Sequence, residues 1–512
     1  MPAREPRFAV VLRRFGLFAG PVLAIVAFVL LPTQYPNAAG GFTEFTHAGR
    51  ASVALLVWMA TWWMTEAVDL AATSLLPVAM LPLLGAADIK SAAAPYASEF
   101  IFLFMGGFIL ALSMQRWGLD RRIALLTLRI VGTSPVKMIG GCMLATVVMG
   151  GFVSNTAMAA MMLPIGLSVI ALMRDKATAA TPGEQANFAT CIVLGIAYAA
   201  SISGVATLIG TPPNTFVAAF IRDKIEQPSQ REITFLQWLA MAGPLSAVLL
   251  PVTWLMLTRV LFPVRMKPIG GGREFIANAY AALGPMNRGE RVTFIVFLFT
   301  AAGWMFRQWI VKIQFGGGES PLRPFALLTD SGIAILGALT LFMIPAGKRL
   351  GGGFVMNWPT AARLPWGILI LFGGGLSLAQ AIEVNGVAEF LGHQAHRFTD
   401  LHPIAMVLLV VAAVVMFSEF ASNTATAMTV IPILAAIAPG LGVHPYLLIF
   451  PATIGCSMAF MMPVGTPPNA MALGTGVITS RQMIFAGFWL NLIGIGLVTA
   501  WTFLLMRWML NV

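Results

Sequence analysis

The chain has 512 residues, of which 58% are hydrophobic and only 10% charged, with a mean hydropathy of +0.85. Soluble domains carry about 25% charged residues, so this composition excludes a water-soluble globular protein and implies an integral membrane protein. The net charge of +11 then reports topology rather than nucleic-acid binding, and Cys142, Cys191 and Cys456 lie inside apolar stretches with neither a disulfide-framework nor a metal-ligand spacing.

Apolar runs of roughly 17–25 residues cross a bilayer as helices. The first, near 15–34, follows Arg4, Arg7, Arg13 and Arg14. It lacks a small-residue cleavage site and reads as a retained span. Runs near 50–66, 70–86 and 97–116 come next. The stretch 138–173 is too long for one simple span and carries Ser154-Asn155-Thr156-Ala157 in its middle. Its two arms of roughly 16 residues reach about 24 Å, short of a roughly 30 Å hydrocarbon core, which predicts a re-entrant hairpin with Ser-Asn-Thr at the tip. The run 187–222 is also overlong and contains Gly210-Thr211-Pro212-Pro213-Asn214, a helix break. Runs near 236–262, 291–312, 328–346 and 365–384 follow.

Then the pattern returns. The stretch 403–438 carries Ser422-Asn423-Thr424-Ala425, and 444–476 contains Gly465-Thr466-Pro467-Pro468-Asn469. A last run spans 484–509. The expectation is an all-α polytopic membrane protein with about 11 transmembrane helices, two re-entrant hairpins and two discontinuous helices.

The two tips are 268 residues apart. At that spacing Leu103-Phe104 matches Leu371-Phe372, Gly106-Gly107 matches Gly374-Gly375, Gly118 matches Gly386 and Pro164 matches Pro432. The Gly-Thr-Pro-Pro-Asn pair is offset by 255, because the polar stretch Arg174–Asn187 has only the short Pro439–His444 as its counterpart. An odd number of spans between equivalent positions inverts the second copy, an inverted-topology repeat. The organisation read from this is an N-terminal segment and first span over 1–49, a first repeat over 50–262, a cytoplasmic linker over 263–290 and a second repeat over 291–512. Basic residues set the orientation. Arg116, Arg121, Arg122, Arg129 and Lys137 stand against Asp120 alone, whereas Glu383, Glu389 and Asp400 stand against Arg397. This places the N-terminus in the cytoplasm and the C-terminus outside, across the inner membrane.

Irregular backbone at membrane depth is tolerated only where protein buries it or where it lines a wet cavity. Half-helix N-termini offer N–H groups to anions and half-helix C-termini offer carbonyls to hard cations. Ser, Asn and Thr can instead simply glue helices together. Two copies in register, each paired with a Gly-Thr-Pro-Pro-Asn break, favour a site over glue.

These motifs resemble the divalent anion/sodium symporter family, which includes dicarboxylate, citrate and sulfate carriers. The resemblance runs from about Trp62 to Met506 and includes Trp62-Trp63-Met64-Thr65-Glu66-Ala67. It implies a secondary active transporter importing a small dicarboxylate of the succinate, malate or fumarate type with Na⁺ as coupling ion and no organic cofactor. It also implies a homodimer in membrane lipid with a sliding transport domain. Substrate contacts would come from Ser154, Asn155, Thr156, Thr211 and Pro212 in the first half, and from Ser422, Asn423, Thr424, Thr466 and Pro467 in the second. Sodium would be held by Ser154, Asn155 and Gly210, and by Ser418, Ser422, Asn423 and Gly465.

Two positions depart from the family pattern. The hydroxyl residue four positions before the tip is kept as Ser418, but its counterpart is Gly150. A serine at Gly150 is therefore expected to be neutral or favourable for Na⁺, provided it fits. Thr65-Glu66-Ala67 leads through Val68 into Asp69 rather than a proline.

Glu419 is an intramembrane carboxyl, either linked to a cation or proton or simply hydrogen-bonded to hold the hairpin. Glu66 and Asp69 are read as solvated residues at the cytoplasmic edge. His393 and His396 share a helix spacing but lack further ligands. A membrane enzyme would need a nucleophile–base pair or metal triad, and a channel would need an open lined pore. Neither pattern is present. A sulfate or tricarboxylate carrier, or a sodium-independent anion exchanger of the same fold, remains the alternative.

Overall fold

In the computed structural model the described residues are 7–36, 41–131, 134–176, 181–225, 229–266, 272–315, 322–347, 353–395, 401–510. Of the described residues 76% are helical, and the one sheet among them is a two-stranded antiparallel ribbon.

The first half begins with α1 (Arg7–Leu30), the ribbon strands β1 (Gln34–Pro36) and β2 (Phe42–Glu44), and α2 (His47–Thr65), which packs along α1. Only 17% of the apolar window of α1 is buried, so this helix offers its Phe15, Phe18, Val22 and Val29 side chains to lipid. The run expected near 70–86 breaks into α3 (Leu70–Thr73) and α4 (Leu76–Leu83). Asp69 starts α3 by accepting the Ala71 N–H at 2.9 Å. Next come α5 (Ile89–Ala93), α6 (Glu99–Trp117), α7 (Leu119–Val131), α8 (Pro135–Gly150) and α9 (Asn155–Lys176). The half ends with α10 (Pro182–Ala206), α11 (Pro212–Lys224) and α12 (Phe235–Leu255), which runs into a π-helical turn over Met256–Leu261.

The second half opens with α13 (Gly272–Ala281), α14 (Arg288–Ile310), α15 (Asp330–Met343) and α16 (Trp358–Ala361). It continues with α17 (Trp366–Val384), α18 (Val387–Ala395), α19 (Pro403–Phe420) and α20 (Asn423–Ile437). It closes with α21 (Tyr446–Cys456), α22 (Pro467–Gly474), α23 (Ser480–Trp501), a second π-helical turn over Thr502–Met506, and α24 (Arg507–Leu510).

The element order repeats with its local chemistry. Helices α8 and α19 both start on a proline, where the missing N–H costs nothing. Gly118 and Gly386 both end a helix in the left-handed region, with φ of 74° and 71°, which a glycine adopts without strain. Thr234 with Gln237 and Thr479 with Gln482 form matching capping boxes at the starts of α12 and α23.

Nine helices among the described residues are long and apolar enough to cross a membrane, against the eleven expected from sequence. The expected arms of roughly 16 residues emerge as 16 for α8, 22 for α9, 18 for α19 and 15 for α20. Helix α9 is longer because it continues through the polar Arg174-Asp175-Lys176.

Helix α10 lies at the centre. Its apolar window is 100% buried, packed by α8, α9, α12 and α22. Helix α21 is enclosed in the same way by α19, α20 and α23. The outer frame is tightened by small residues. At Gly106 on α6, a Cβ would sit 2.6 Å from the Ala334 carbonyl carbon of α15, so the two backbones approach only because a side chain is missing. Gly106→Val is expected to cost about 1–3 kcal/mol through overpacking. It should lower the melting temperature in detergent, whereas Gly496→Ala, at an open position, should leave it unchanged. Equal melting temperatures would show that α6 and α15 do not meet there.

Candidate functional site

Each Ser-Asn-Thr begins a helix. Ser154 precedes α9 and accepts the Ala157 N–H at 3.3 Å on its hydroxyl, while its carbonyl accepts the Met158 N–H at 2.9 Å. Ser422 caps α20, and its carbonyl accepts from Thr426 at 2.9 Å. Short polar side chains compete with the backbone for hydrogen bonds, which is why they stop one helix and start the next.

Each Gly-Thr-Pro-Pro-Asn also begins a helix, after an unwound stretch. Residues 207–211 separate α10 from α11, and residues 457–466 separate α21 from α22. Pro212-Pro213 and Pro467-Pro468 fill the first two helical positions, where an N–H would have no partner. The motif's closing asparagine, which the site reading from sequence did not include, ties the break together. The Asn214 side-chain amide donates to the carbonyls of Gly204 and Thr207, both at 2.8 Å. That of Asn469 donates to Ala459 and Met462, both at 3.1 Å. Both asparagines are 0% exposed.

The four starts converge on one cavity of about 550 Å³. Ser154, Asn155, Thr156, Gly210, Thr211 and Pro212 line it from the first half, and Ser422, Asn423, Thr424, Gly465, Thr466 and Pro467 from the second. Ser418 sits behind its tip, fully buried, with its hydroxyl 2.8 Å from Asn423 Oδ1 and bonded to the Cys456 carbonyl. Every residue assigned to substrate or sodium from sequence is therefore in the wall or directly behind it.

Four helix N-termini face this space, giving it partial positive charge, while no Lys or Arg is among the lining residues. Phe104, Phe108, Ile368 and Leu371 add an apolar flank from α6 and α17. The repeated Leu-Phe and Gly-Gly pairs of these helices were the signal for it. Glu66 also reaches the cavity, and its side chain is 46% exposed, as expected of a solvated edge residue. It is held in a left-handed conformation, φ 48°, and paired with Arg13 at 3.1 Å.

The two halves differ behind the tips. Glu419, 1% exposed, accepts backbone N–H bonds from Phe460 at 2.8 Å, Met461 at 2.9 Å and Met462 at 2.8 Å, and one from the Asn491 side chain. It thus takes the hydrogen-bonding role, holding the unwound segment before α22. Its counterpart in the first half is Gly151, whose carbonyl accepts from the Thr207 hydroxyl. The condition set for a serine at Gly150, that it fits, is not met. A Cβ there would lie 2.1 Å from Ser203 Oγ, so the extra atoms do not fit. His393 packs against Tyr35, with ring centroids 6.1 Å apart, and His396 lies outside the described residues.

Glu419→Gln keeps the shape but aims an amide at N–H donors. Hydrogen bonds to a charged group contribute about 1.5–3 kcal/mol each, so the variant should melt measurably lower than wild type in detergent. An unchanged melting temperature would mean that the carboxylate does not hold the 457–466 segment.

Comparison with known proteins gives a consistent picture. A family model described as the sodium:sulfate symporter transmembrane region matches residues 20–511. The sodium-dependent dicarboxylate transporter SdcS of Staphylococcus saprophyticus is 38% identical over 481 residues, 94% of this chain and 89% of the relative. SdcS of Staphylococcus aureus is 38% identical over 479 residues, 93% and 88% of the two chains. Two solved structures share the fold at 12% identity. The YdaH transporter of Alcanivorax borkumensis aligns with TM-score 0.55 over 98% of this chain and 99% of its own. MtrF of Neisseria gonorrhoeae, an antimetabolite efflux pump, aligns with TM-score 0.60 over 98% and 96%.

Proposed function

The chain belongs to the sodium:sulfate symporter transmembrane family, and from that premise we propose that it is a sodium-coupled importer of a small dicarboxylate. The observation that carries the reading is one cavity walled by two matching sets of tips and breaks, with no cationic side chain among its lining residues. A volume of about 550 Å³ falls in the range of small-molecule sites, roughly 300–1,000 Å³. Two matching tips suit an anion with a carboxylate at each end. The SdcS relatives, named for sodium-dependent dicarboxylate transport, support the same substrate and coupling ion.

The energetics require the cation. A helix end is worth about 0.3–1 kcal/mol to an exposed anion and up to roughly 2 when partly buried. Desolvating each charge of a dianion costs several kcal/mol. Neutral donors and helix ends fall short, so Na⁺ bound beside the tips supplies the missing charge. In this reading Ser154, Asn155, Thr156, Thr211 and Pro212, with Ser422, Asn423, Thr424, Thr466 and Pro467, hold the substrate. Ser154, Asn155 and Gly210, and Ser418, Ser422, Asn423 and Gly465, hold sodium. Asn155 Oδ1, buried without a hydrogen-bond partner, is an acceptor that a cation would satisfy. The two helix pairs act as re-entrant hairpins of an inverted repeat, moved as a unit through a dimeric scaffold, with the N-terminus cytoplasmic.

Purified protein in liposomes should take up succinate with an inward Na⁺ gradient and lose uptake when choline replaces Na⁺. Uptake indifferent to Na⁺, or sulfate preferred over every dicarboxylate, would overturn the assignment. Asn155→Ala and Asn423→Ala should each abolish uptake while the protein stays folded; near-normal uptake by both would remove the tips from the site. Ser418→Ala should raise the Na⁺ concentration needed for half-maximal uptake, and a wild-type sodium dependence would remove Ser418 from the second sodium site.

A further inference from the structure

We propose that Ser203 of α10 supplies the hydroxyl oxygen of the first sodium site, in place of a side chain on the tip. This inference rests on the sodium-coupled reading above. In the second half the hydroxyl comes from the helix before the tip. Ser418 is fully buried, touches Asn423 Oδ1 at 2.8 Å and reaches the Cys456 carbonyl of α21. Its counterpart Gly150 offers no side chain. The space is filled all the same: Ser203 Oγ lies 2.1 Å, and Ser203 Cβ 2.9 Å, from where a Cβ on Gly150 would be. The hydroxyl has moved across the contact between α8 and α10 while keeping its place in the molecule.

The bonding of Ser203 suits a cation ligand. It is fully buried and donates its one proton to the Ala200 carbonyl at 2.7 Å. Its lone pairs are left to face the contact, and a hard cation takes oxygen ligands of this kind. Ser418 has one proton for two acceptors, Asn423 Oδ1 and the Cys456 carbonyl of the neighbouring broken helix.

The next residue, Gly204, brings in the second ligand. A Cβ there would sit 2.9 Å from Asn155 Oδ1, so its absence lets the tip asparagine close on α10. That Oδ1 atom is buried and has no hydrogen-bond partner. An unpaired buried acceptor on the tip and an available hydroxyl oxygen thus meet the same turn of α10. In the second half the position matching Gly204 is Ala459, and the one matching Ser203 is Met458, which carries no hydroxyl. The two halves therefore build their hydroxyl ligands from opposite sides of the same interface.

The exchange makes a reciprocal test possible. Wild type, Ser203→Ala, Gly150→Ser and the double variant Gly150→Ser with Ser203→Gly would be purified. Thermal stability would be followed against NaCl, with choline chloride keeping ionic strength constant and no dicarboxylate present. Sodium-dependent succinate uptake in liposomes is the second readout. Ser203→Ala should raise the Na⁺ concentration for half-maximal stabilisation by about tenfold, the scale of one lost ligand interaction. Its melting temperature in choline should stay close to wild type. Gly150→Ser alone should melt lower, because its Cβ collides with Ser203. The double variant, with the hydroxyl moved back to the tip and room made for it, should recover sodium affinity to within about threefold of wild type. Ser203→Ala with the wild-type sodium midpoint would overturn the proposal while leaving sodium coupling intact. So would a double variant no better than Ser203→Ala despite a wild-type melting temperature in choline. A wild-type protein neither stabilised by Na⁺ nor dependent on it for uptake would instead overturn the sodium-coupled reading on which the proposal stands.

Discussion

Breaking a helix inside an apolar protein strands backbone N–H and C=O groups, and every one left unpaired costs free energy comparable to a lost hydrogen bond. The two breaks that open the cavity are possible only because side chains take up those groups. At the first break the surplus is carbonyls. Asn214 serves Gly204 and Thr207, Trp238 serves Val205 at 3.1 Å, and Thr215 serves Leu208. At the second, a longer unwound run leaves three consecutive N–H groups at Phe460, Met461 and Met462, and Glu419 accepts all of them. A carboxylate is the acceptor with capacity for several donors at once, which accounts for an acidic residue in one half and a glycine in the other.

This division keeps the Glu419 carboxylate behind the cavity wall, whose one charged lining residue is Glu66. Helix ends, hydroxyls and amides face the space, and the buried carboxylate is spent on backbone behind it. Arg13 and Glu66 form an ion pair at the rim, each about half exposed at 40% and 46%, where such a pair contributes little to stability. Glu66 is the one non-glycine with positive φ among the described residues, so the backbone there is under local strain at the edge of the site.

The buried ion pairs belong to the frame. Arg122 of α7 pairs with Glu290 of α14 at 2.9 Å and also donates to the Gly284 carbonyl. Arg307 of α14 pairs with Asp330 of α15 at 2.9 Å. Tyr280 of α13 lies under both Arg122 and Arg129, at 5.7 and 5.8 Å. Removing one partner of such a pair leaves an uncompensated buried charge. These contacts fix α7 and α13 to the start of α14 and α15 to its end.

Much of this was legible in the sequence because it depends on local chemistry. Ser154 and Ser422 stop and restart helices, Pro212-Pro213 and Pro467-Pro468 start them, and Gly118 and Gly386 end them, whatever surrounds them. Repetition at a fixed spacing showed that these breaks come in pairs, and hydrophobicity placed them inside the membrane. The amphipathic α7, α13 and α18 were not read as helices, since their alternation of charged and apolar residues makes them too polar for a span. What tertiary structure alone decided is which side chain fills a given space. Sequence shows Gly150 as a missing hydroxyl, but not that Ser203, 53 positions on, brings its oxygen to 2.1 Å from the vacant Cβ position. It shows Glu419 as an intramembrane charge, but not the three N–H groups that await it. Both depend on the approach of helices distant in the chain, and that approach is set by the packing of the whole molecule rather than by any local run of residues.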